Sequence, residues 1–395
     1  MINNIDEINV KKFKPLYKKK KEFSRILIYV LFIILYINIL IYFILINKKL
    51  DQNKSVNITN NDNIKSLKEN LLIVRKVLER KINNKDNLKI NEIDNEIFNE
   101  NINKEIKENQ HHFCRIKDLF YDKEFENLIM MKTINFKNIS FDMFIYKNDD
   151  IVSLFIKNHG YWEKDQTINL LNCLNFFGLK KKLSKNEITV IDLGANVGWY
   201  SFFLGKVGYE IFSFEVSNFN NYILKKNFCK NKDINITIIN KGIGLEEEKC
   251  LLHHPKANRG NGVILCGDKT NIPINSEGLT EKVIFTRLSN YISFLSKKNL
   301  ALIKMDIEGS EGKAIESGIE LITKYHIPFI VTEFNIDYLK MQGTDPKIFL
   351  ERFEKNGYKF SIVDFLSNKF ISIDSLLKLP ITNLYIIYYE FLLKN

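Results

Sequence analysis

The residues with the clearest chemical pattern lie in "TVIDLGANVGWY", residues 189–200. An apolar run stops at Asp192, and two glycines follow, four residues apart. A dinucleotide-binding turn has the pattern G-x-G-x-x-G, because a pyrophosphate requires unobstructed backbone amides. The pattern here is D-x-G-x-N-x-G, which favours a nucleotide-like ligand without phosphates, such as S-adenosylmethionine. The alternative is a tight strand-to-helix turn with a capping carboxylate. The candidate binding residues are Asp192, Gly194, Ala195, Asn196 and Gly198.

A second acid, Glu215, ends the next apolar run, 21 residues after Gly194. The carboxyl ends of parallel strands meet at one edge of a sheet, and an acid there can accept hydrogen bonds from both hydroxyls of a ribose. The alternative is a helix N-cap for a segment that starts near Ser217.

Charged residues also interrupt the apolar run "LALIKMDIE", residues 300–308. Buried parallel strands are normally apolar on both faces, yet Lys304, Asp306 and Glu308 alternate here. A spacing of two puts Lys304 and Asp306 on one face of a strand, with Glu308 at its rim. We interpret Asp306 or Glu308 as the group that orients or deprotonates an acceptor hydroxyl, joined by Glu333. The structural alternative is a Lys304–Asp306 ion pair with Glu308 as a helix cap.

Seven short apolar runs are candidate strands for holding these residues. They cover residues 188–193, 209–215, 234–240, 300–306, 328–334, 359–364 and 384–390. Helical patterns separate several of them, at residues 199–207, 217–230 and 311–325. Apolar strands alternating with helices predict an α/β fold with a doubly wound, mostly parallel seven-stranded sheet. Ligands of such sheets bind beyond the carboxyl ends of the strands, where the polar residues lie.

The N-terminal region has the composition of a membrane anchor. Residues 26–46 contain one strongly polar residue, Asn38. A helix of this length spans about 30 Å, the thickness of a bilayer's hydrocarbon core. Residues 1–25 hold eight Lys or Arg against three acids, so the positive-inside rule keeps this tail in the cytoplasm. We expect a single-pass protein whose catalytic domain is in the lumen of the endoplasmic reticulum or Golgi, or outside the cell.

The net charge of +11 does not indicate nucleic-acid binding. About half of the excess lies in the short tail, and 50 basic and 44 acidic residues remain outside it. Because no basic face stands out from that balance, we predict no nucleic-acid partner.

Residues 47–125 are predicted to be a stem between the anchor and a domain at residues 126–395. The stem is rich in Asn and Lys, and residues 51–110 contain no Gly or Pro. A 3-4 apolar spacing over about two heptads is compatible with a short helical homodimer, although we favour a solvated single helix. The spaced residues are Ile64, Leu67, Leu71, Val74 and Leu78.

The five cysteines are odd in number and lack metal-ligand spacing, so no metal site is predicted. Cys250 and Cys266 are candidates for a disulfide in an oxidising lumen. We nevertheless interpret the cysteines as free buried thiols.

Several motifs resemble those of the FkbM-type methyltransferases. "VIDLGANVGWYS" resembles the first motif of that family, in which Asn commonly replaces the middle glycine of the general methyltransferase loop. "LIKMDIEGSEGKAIESG", residues 302–318, is similar to its lysine-acid-acid-glycine-acid signature after the fourth strand. The resemblance covers about residues 145–340. Three further segments occupy the expected places: "HGYWEKD" (159–165), "NKGIG" (240–244) and "TRLSNYI" (286–292).

The resemblance implies a class I, Rossmann-like methyltransferase with S-adenosylmethionine as its cofactor. The loop residues 192–198 would line the methionine end of the cofactor, and Glu215 would hold the ribose. The adenine would be bordered by Asn240, Lys241 and Gly242. Together with the anchor, the family implies O-methylation of a sugar, glycan or lipid-linked hydroxyl.

Two other functions remain open at this point. One is a non-catalytic, cofactor-binding membrane scaffold that acts through its stem. The other is an NAD-dependent oxidoreductase, which the missing G-x-G-x-x-G pattern disfavours. "HHPKANRGNG", residues 253–262, is interpreted either as a loop that contacts the acceptor through His253, His254 and Arg259, or as an exposed variable loop.

Overall fold

The computed structural model describes residues 110, 113–114, 127–255, 258, 262–267 and 278–393. The basic tail, the anchor at residues 26–46 and most of the stem lie outside the described residues. Within these described ranges, the helices are all too short or too polar to cross a bilayer.

Strands lie both before and after the glycine loop. In chain order they are β1 (Ile129–Phe136), β2 (Ile139–Tyr146), β3 (Ile188–Leu193), β4 (Glu210–Phe214), β5 (Ile236–Ile239), β6 (Gly242–Ile243), β7 (Glu248–Pro255), β8 (Val263–Cys266), β9 (Gly278–Thr286), β10 (Asn299–Met305), β11 (Phe329–Asn335), β12 (Tyr358–Ser361) and β13 (Ile381–Tyr388).

Several helices begin at residues that suit a first turn. Asp150 caps the first, Ser217 the fourth, and Asp345 with Pro346 the ninth. The helices, numbered along the chain, are α1 (Ile151–His159), α2 (Lys164–Lys181), α3 (Trp199–Val207), α4 (Asn218–Lys230), α5 (Ser289–Leu295), α6 (Glu311–Ser317), α7 (Glu320–Thr323), α8 (Ile336–Met341), α9 (Pro346–Glu354), α10 (Ile373–Leu376) and α11 (Tyr389–Leu393).

The central sheet has seven strands in the order β12-β13-β11-β10-β3-β4-β5. The five strands from β11 to β5 run parallel, and β13 runs antiparallel to both β11 and β12. The predicted α/β fold and mostly parallel sheet are therefore confirmed. Side chains of β3 alternate between two buried cores, Val190 on one face and Ile191 on the other, so the sheet is covered on both sides.

Three features of the fold differ from the sequence expectation, the first being an antiparallel two-stranded sheet of β1 and β2 that was not predicted. The single helix expected over residues 311–325 is two short helices, α6 and α7, separated at Gly318. A Cβ at Gly318 would press on the side chain of Leu288, so the glycine permits close packing at the break. A second sheet, in the order β6-β9-β7-β8, follows β5 and was not predicted as strands.

The interpretation of the cysteines as free thiols was wrong for four of the five. Cys250 pairs with Cys266, because the antiparallel register of β7 and β8 places them opposite each other. Cys114 pairs with Cys229 at the end of α4, and only Cys173 is a free, buried thiol. The Cys114 pair joins part of the expected stem to the domain.

Candidate active site

A cleft opens at the carboxyl ends of β3, β4 and β10, where ligands bind in doubly wound sheets. Residues 194–197, Glu215 and Ser217 line one part, and Lys304, Asp306 and Glu308 line another. The two sequence motifs therefore meet in one cleft.

The loop after β3 adopts a conformation that its glycines make possible. Gly194 has a φ of 81°, in the left-handed region, and a Cβ there would overlap the carbonyl oxygen of Asp306. Gly198 has a φ of 97°, and a Cβ there would come within 2.6 Å of Leu224 on α4. The glycines thus bring the backbone close to the β10 loop and to α4.

Asp192 and Lys304 are neighbours in register on β3 and β10. Lys304 Nζ lies 3.7 Å from Asp192 Oδ1 and 3.6 Å from Asp306 Oδ2. It also donates to the carbonyl oxygen of Gly194 at 3.2 Å. Asp192 accepts from the hydroxyl of Ser201 at 2.6 Å and is only 1% exposed. Asp192 therefore supports the loop from beneath instead of lining the cleft.

The charges of this pair stabilise each other inside the protein. Burial alone would lower the pKa of Lys304, but the surrounding carboxylates, Asp306 above all, raise it above its usual value. Burial raises the pKa of Asp192, although Lys304 opposes that rise. The Lys304–Asp306 ion pair considered from the sequence is present, and it extends to Asp192. Lys304 therefore links the glycine loop to the acidic end of the cleft.

Glu215 fixes the conformation of two loops at once. Its Oε2 accepts from the backbone amide of Asn196 at 2.7 Å, and its Oε1 accepts from that of Ser217 at 2.8 Å. The helix N-cap is Ser217, whose hydroxyl accepts from the amide of Asn220. Burial raises the pKa of Glu215 to about 7 in spite of these donors. The side chain of Asn220 is a further donor, and because each carboxylate oxygen can accept two hydrogen bonds, Glu215 can still accept from a ribose hydroxyl.

The residues present fit S-adenosylmethionine. The Oδ1 atom of Asn196 is buried at the cleft and accepts no hydrogen bond from the described residues. A buried oxygen in this state is suited to a ligand that donates, and an ammonium group is such a donor. Next to Glu215, the cleft has apolar walls formed by Val216 and Phe285, which suit the adenine of the cofactor.

Two of the predicted carboxylates line the acidic end of the cleft, and a third lies near it. Asp306 and Glu308 line the cleft, and Glu333 lies half-buried near the end of β11. Burial raises the pKa of Glu308 to about 7, with further contributions from the charges of Asp306 and Glu333. Glu333 is therefore close enough to affect Glu308 electrostatically.

The structural alternative in which Glu308 caps a helix is not observed. Glu308 has a φ of 54°, and α6 begins after Ser310 without a side-chain cap. Glu311, in the first turn of α6, instead accepts from the backbone amide of Ile307 at 3.1 Å. Burial raises the pKa of Glu311 to about 8. Glu311 thus holds the loop, and the Glu308 side chain is left to line the cleft.

Sequence reasoning missed Glu163, which precedes α2. Its Oε2 accepts from the Tyr200 hydroxyl at 2.5 Å and from Gln166 Nε2 at 2.9 Å. Tyr200 lines the cleft, and its ring centroid lies 5.2 Å from Lys304 Nζ. Burial raises the pKa of Glu163, while the Tyr200 bond and Lys304 lower it. The only signal was the position of Glu163 within "HGYWEKD", between two aromatic residues and a helix.

The second sheet forms another wall of the cleft, through Leu252, His254, Ile264 and Phe285. Both interpretations of "HHPKANRGNG" as a loop were wrong for its histidines, because His253 and His254 belong to β7 and are buried. His253 and His254 are consecutive on β7, so their side chains point to opposite faces of the strand. His254 Nε2 lies 2.6 Å from Glu281 Oε1. Arg259 lies outside the described residues.

The three residues assigned to the adenine differ in position. Lys241 and Gly242 line the cleft. Asn240 instead donates its side-chain amide to the carbonyl oxygens of Glu215 and Val216, at 3.1 and 3.2 Å. Asn240 therefore holds the loop that carries Glu215.

Comparison with known proteins identifies the domain. Residues 192–360 match the family model described as the methyltransferase FkbM domain. This range includes both sequence motifs and the carboxyl ends of β3, β4, β10 and β11. A search of curated proteins found no match. Residues 192–360 are an FkbM methyltransferase domain, as the motifs indicated, and S-adenosylmethionine is its cofactor.

Several solved methyltransferase structures are similar over part of the chain. The bifunctional kinase-methyltransferase WbdD is 11% identical with a TM-score of 0.36, and the match covers 59% of this chain and 41% of WbdD. Precorrin-6y C5,15-methyltransferase from Geobacter metallireducens is 14% identical with a TM-score of 0.28, covering 54% and 84%. A Pyrococcus abyssi tRNA (uracil-54, C5)-methyltransferase is 10% identical with a TM-score of 0.30, covering 65% and 43%. The chain thus spans less than half of two of these proteins.

Proposed function

We propose that this protein is a membrane-anchored, S-adenosylmethionine-dependent O-methyltransferase that acts on a hydroxyl of a sugar, glycan or lipid-linked acceptor. The observation that carries the proposal is the placement of Asp306 and Glu308 in the same cleft as the glycine loop. A cofactor-binding scaffold has no need of carboxylates at the acceptor end.

The bound cofactor supplies an electrophilic methyl group. Much of the rate of such a transfer comes from holding the acceptor oxygen in line with that group, and a general base adds a smaller factor. Glu308 is the better candidate for the base, because a pKa of about 7 keeps a carboxylate both available and basic near neutral pH. Asp306 is paired with Lys304, so we assign it to orienting the acceptor.

The proposal places the catalytic domain in the lumen or outside the cell, with the N-terminus in the cytoplasm. The charge asymmetry around residues 26–46 supports this topology. The two disulfides support it independently, because disulfides persist in oxidising compartments. The proposed lipid bilayer contact is through residues 26–46, and a homodimer would form through the stem.

The test uses the full-length protein in detergent, with S-adenosylmethionine labelled in its methyl group and a membrane extract as acceptor source. We expect label in a sugar or lipid product that is stable to mild base, as a methyl ether is and a methyl ester is not. Glu308→Gln should lower incorporation by about 10² to 10⁴. The exposed Glu187→Gln serves as a matched control. Label found only in protein, nucleic acid or base-labile esters would refute the proposed acceptor class.

A further inference from the structure

Strand β8 is a short edge strand with one side in the cleft. It has four residues and pairs with β7, at the end of the second sheet. Ile264 on β8 and Gly262 just before it line the cleft. Val263 points to the other face and is 53% exposed. A four-residue strand that is half-buried and paired along one edge gains little stability from its own hydrogen bonds.

The Cys250–Cys266 disulfide joins β8 to β7 on the face that lines the cleft. Side chains two apart on a strand share a face, so Cys266 lies beside Ile264 and Cys250 beside Leu252. Leu252 is opposite Ile264 in the register and also lines the cleft. The disulfide is therefore one step along the strands from the wall of the cleft.

This wall adjoins the part of the cleft that we assign to the adenosine. Ile264, Cys250 and Cys266 pack in one apolar cluster with Val216, the residue after Glu215. Phe285, a cleft-lining residue of β9, belongs to the same cluster. A displacement of β8 would therefore open the cluster beside the predicted ribose-binding acid.

We propose that Cys250 and Cys266 are positioning residues, whose disulfide holds β8 in place as a wall of the cofactor pocket. The inference rests on the cofactor assignment of the proposed function. Reduction by a dithiol such as dithiothreitol transfers two electrons and two protons to the disulfide. It gives two thiols and leaves the reagent as a cyclic disulfide. The reduced β8 is then held by its ladder bonds and packing alone.

The expected effect follows from the fraction of molecules in which β8 is docked. Apparent dissociation constants rise in inverse proportion to the binding-competent fraction. If reduction leaves β8 docked in about one molecule in ten, the dissociation constant for the cofactor rises about tenfold. The disulfide joins cysteines that are 16 residues apart in the sequence. A cross-link over that length restricts the undocked state of β8 strongly enough for such a shift.

The experiment measures binding of S-adenosylhomocysteine to the full-length protein by calorimetry, so no acceptor is needed. We expect about a tenfold weaker affinity for Cys250→Ser/Cys266→Ser and for wild type in dithiothreitol. Cys114→Ser/Cys229→Ser is the matched control for loss of a disulfide outside the cleft wall. Because that control keeps Cys250 and Cys266, it should bind normally until reductant is added.

A second pair of variants tests the wall itself in oxidised protein. Ile264→Ala should weaken binding severalfold, whereas Val263→Ala on the opposite face should not. Unchanged affinity in folded Cys250→Ser/Cys266→Ser would overturn the proposal, as would peptide mapping that finds the two thiols unpaired in purified wild type. Absence of binding by every form, wild type included, would instead overturn the cofactor assignment.

Discussion

The Asp192–Lys304 pair gives the sharpest prediction, because both groups are almost completely buried. Lys304→Met would leave the Asp192 carboxylate with Ser201 as its remaining hydrogen-bond donor. Breaking a buried pair by removing one partner costs about 3 to 5 kcal/mol. Because the hydrogen bond from Ser201 remains, we expect the lower end of this range, a loss of about 3 kcal/mol in the free energy of unfolding. Asp192→Asn should cost less, since Lys304 would keep Asp306 and the Gly194 carbonyl.

The assay is urea unfolding of the full-length protein without cofactor, followed by circular dichroism. The double variant Asp192→Asn/Lys304→Met should lose less than the sum of the single losses, with a coupling of about 1 to 3 kcal/mol. Lys304→Met should also lose more stability than wild type does between pH 5 and pH 8. Without the ammonium, the pKa of Asp192 rises further, and a raised carboxyl pKa contributes stability that is lost as pH rises through it.

Three results would refute this reasoning. Additive single losses, within about 0.5 kcal/mol, would mean that the two charges do not interact. A larger loss for Asp192→Asn than for Lys304→Met would mean that Lys304 has no other effective partner. A loss of stability between pH 5 and pH 8 that is no larger in Lys304→Met than in wild type would mean that Asp192 is not the group left unpaired.

The remaining predictions concern three acids with raised pKa values. Glu215→Gln keeps one acceptor oxygen, but its amide nitrogen would face a backbone N–H that also donates. The affinity for S-adenosylhomocysteine, measured by calorimetry, should therefore fall at least about tenfold. Unchanged affinity in folded protein would remove Glu215 from the site. Turnover should rise with pH through about 7 as Glu308 loses its proton, and a profile flat from pH 6 to pH 8 would contradict its role as base. Between about pH 4.5 and pH 8 the cofactor-free protein should lose about 1.4 kcal/mol of stability per pH unit, because buried Glu311 keeps a proton that the unfolded chain has released, and Glu311→Gln should reduce that slope in thermal melts.

The central sheet could be predicted because its signals are local. β3 is buried at all six positions, and its sequence is apolar except for Thr189 and Asp192, so it can be identified without knowledge of its neighbours. The second sheet was harder to see, although β9 alternates exposed and buried residues over "EKVIFT". The turn residues between β7 and β8, Gly260, Asn261 and Gly262, led us to interpret the whole segment as a loop, and β6 has only two residues. Alternation of this kind is a usable signal once one apolar face is suspected.

The site residues, too, could be predicted where the signal was local and could not where it depended on distant parts of the chain. Spacing within one strand placed Asp306 beside Lys304, and strand order placed Glu215 beside the glycine loop. Asp192 and Asn240 were expected at the cofactor, but their side chains bond to the protein, because a strand-end residue can point beneath a loop as easily as into the cleft. Nothing in the local sequence of Glu163 connects it to Tyr200, which is 37 residues away. The Cys250–Cys266 disulfide, too, depends on the register between two strands that were not predicted.

Some residues at the cleft have a backbone conformation that costs stability, and each of them places a polar side chain there. Nine non-glycine residues in the described part of the chain have positive φ, and three of them, Glu163, Asn196 and Glu308, lie at or beside the cleft. Asn tolerates this conformation, whereas a glutamate there costs about 1 kcal/mol or more relative to glycine. Glycine would suit the backbone better at Glu163 and Glu308, but it would remove the carboxylate. The two strained glutamates lie on different chain segments and both interact with Lys304. Their shared partner is the residue that also holds the glycine loop, so the strain is concentrated where the cofactor and acceptor ends of the cleft meet.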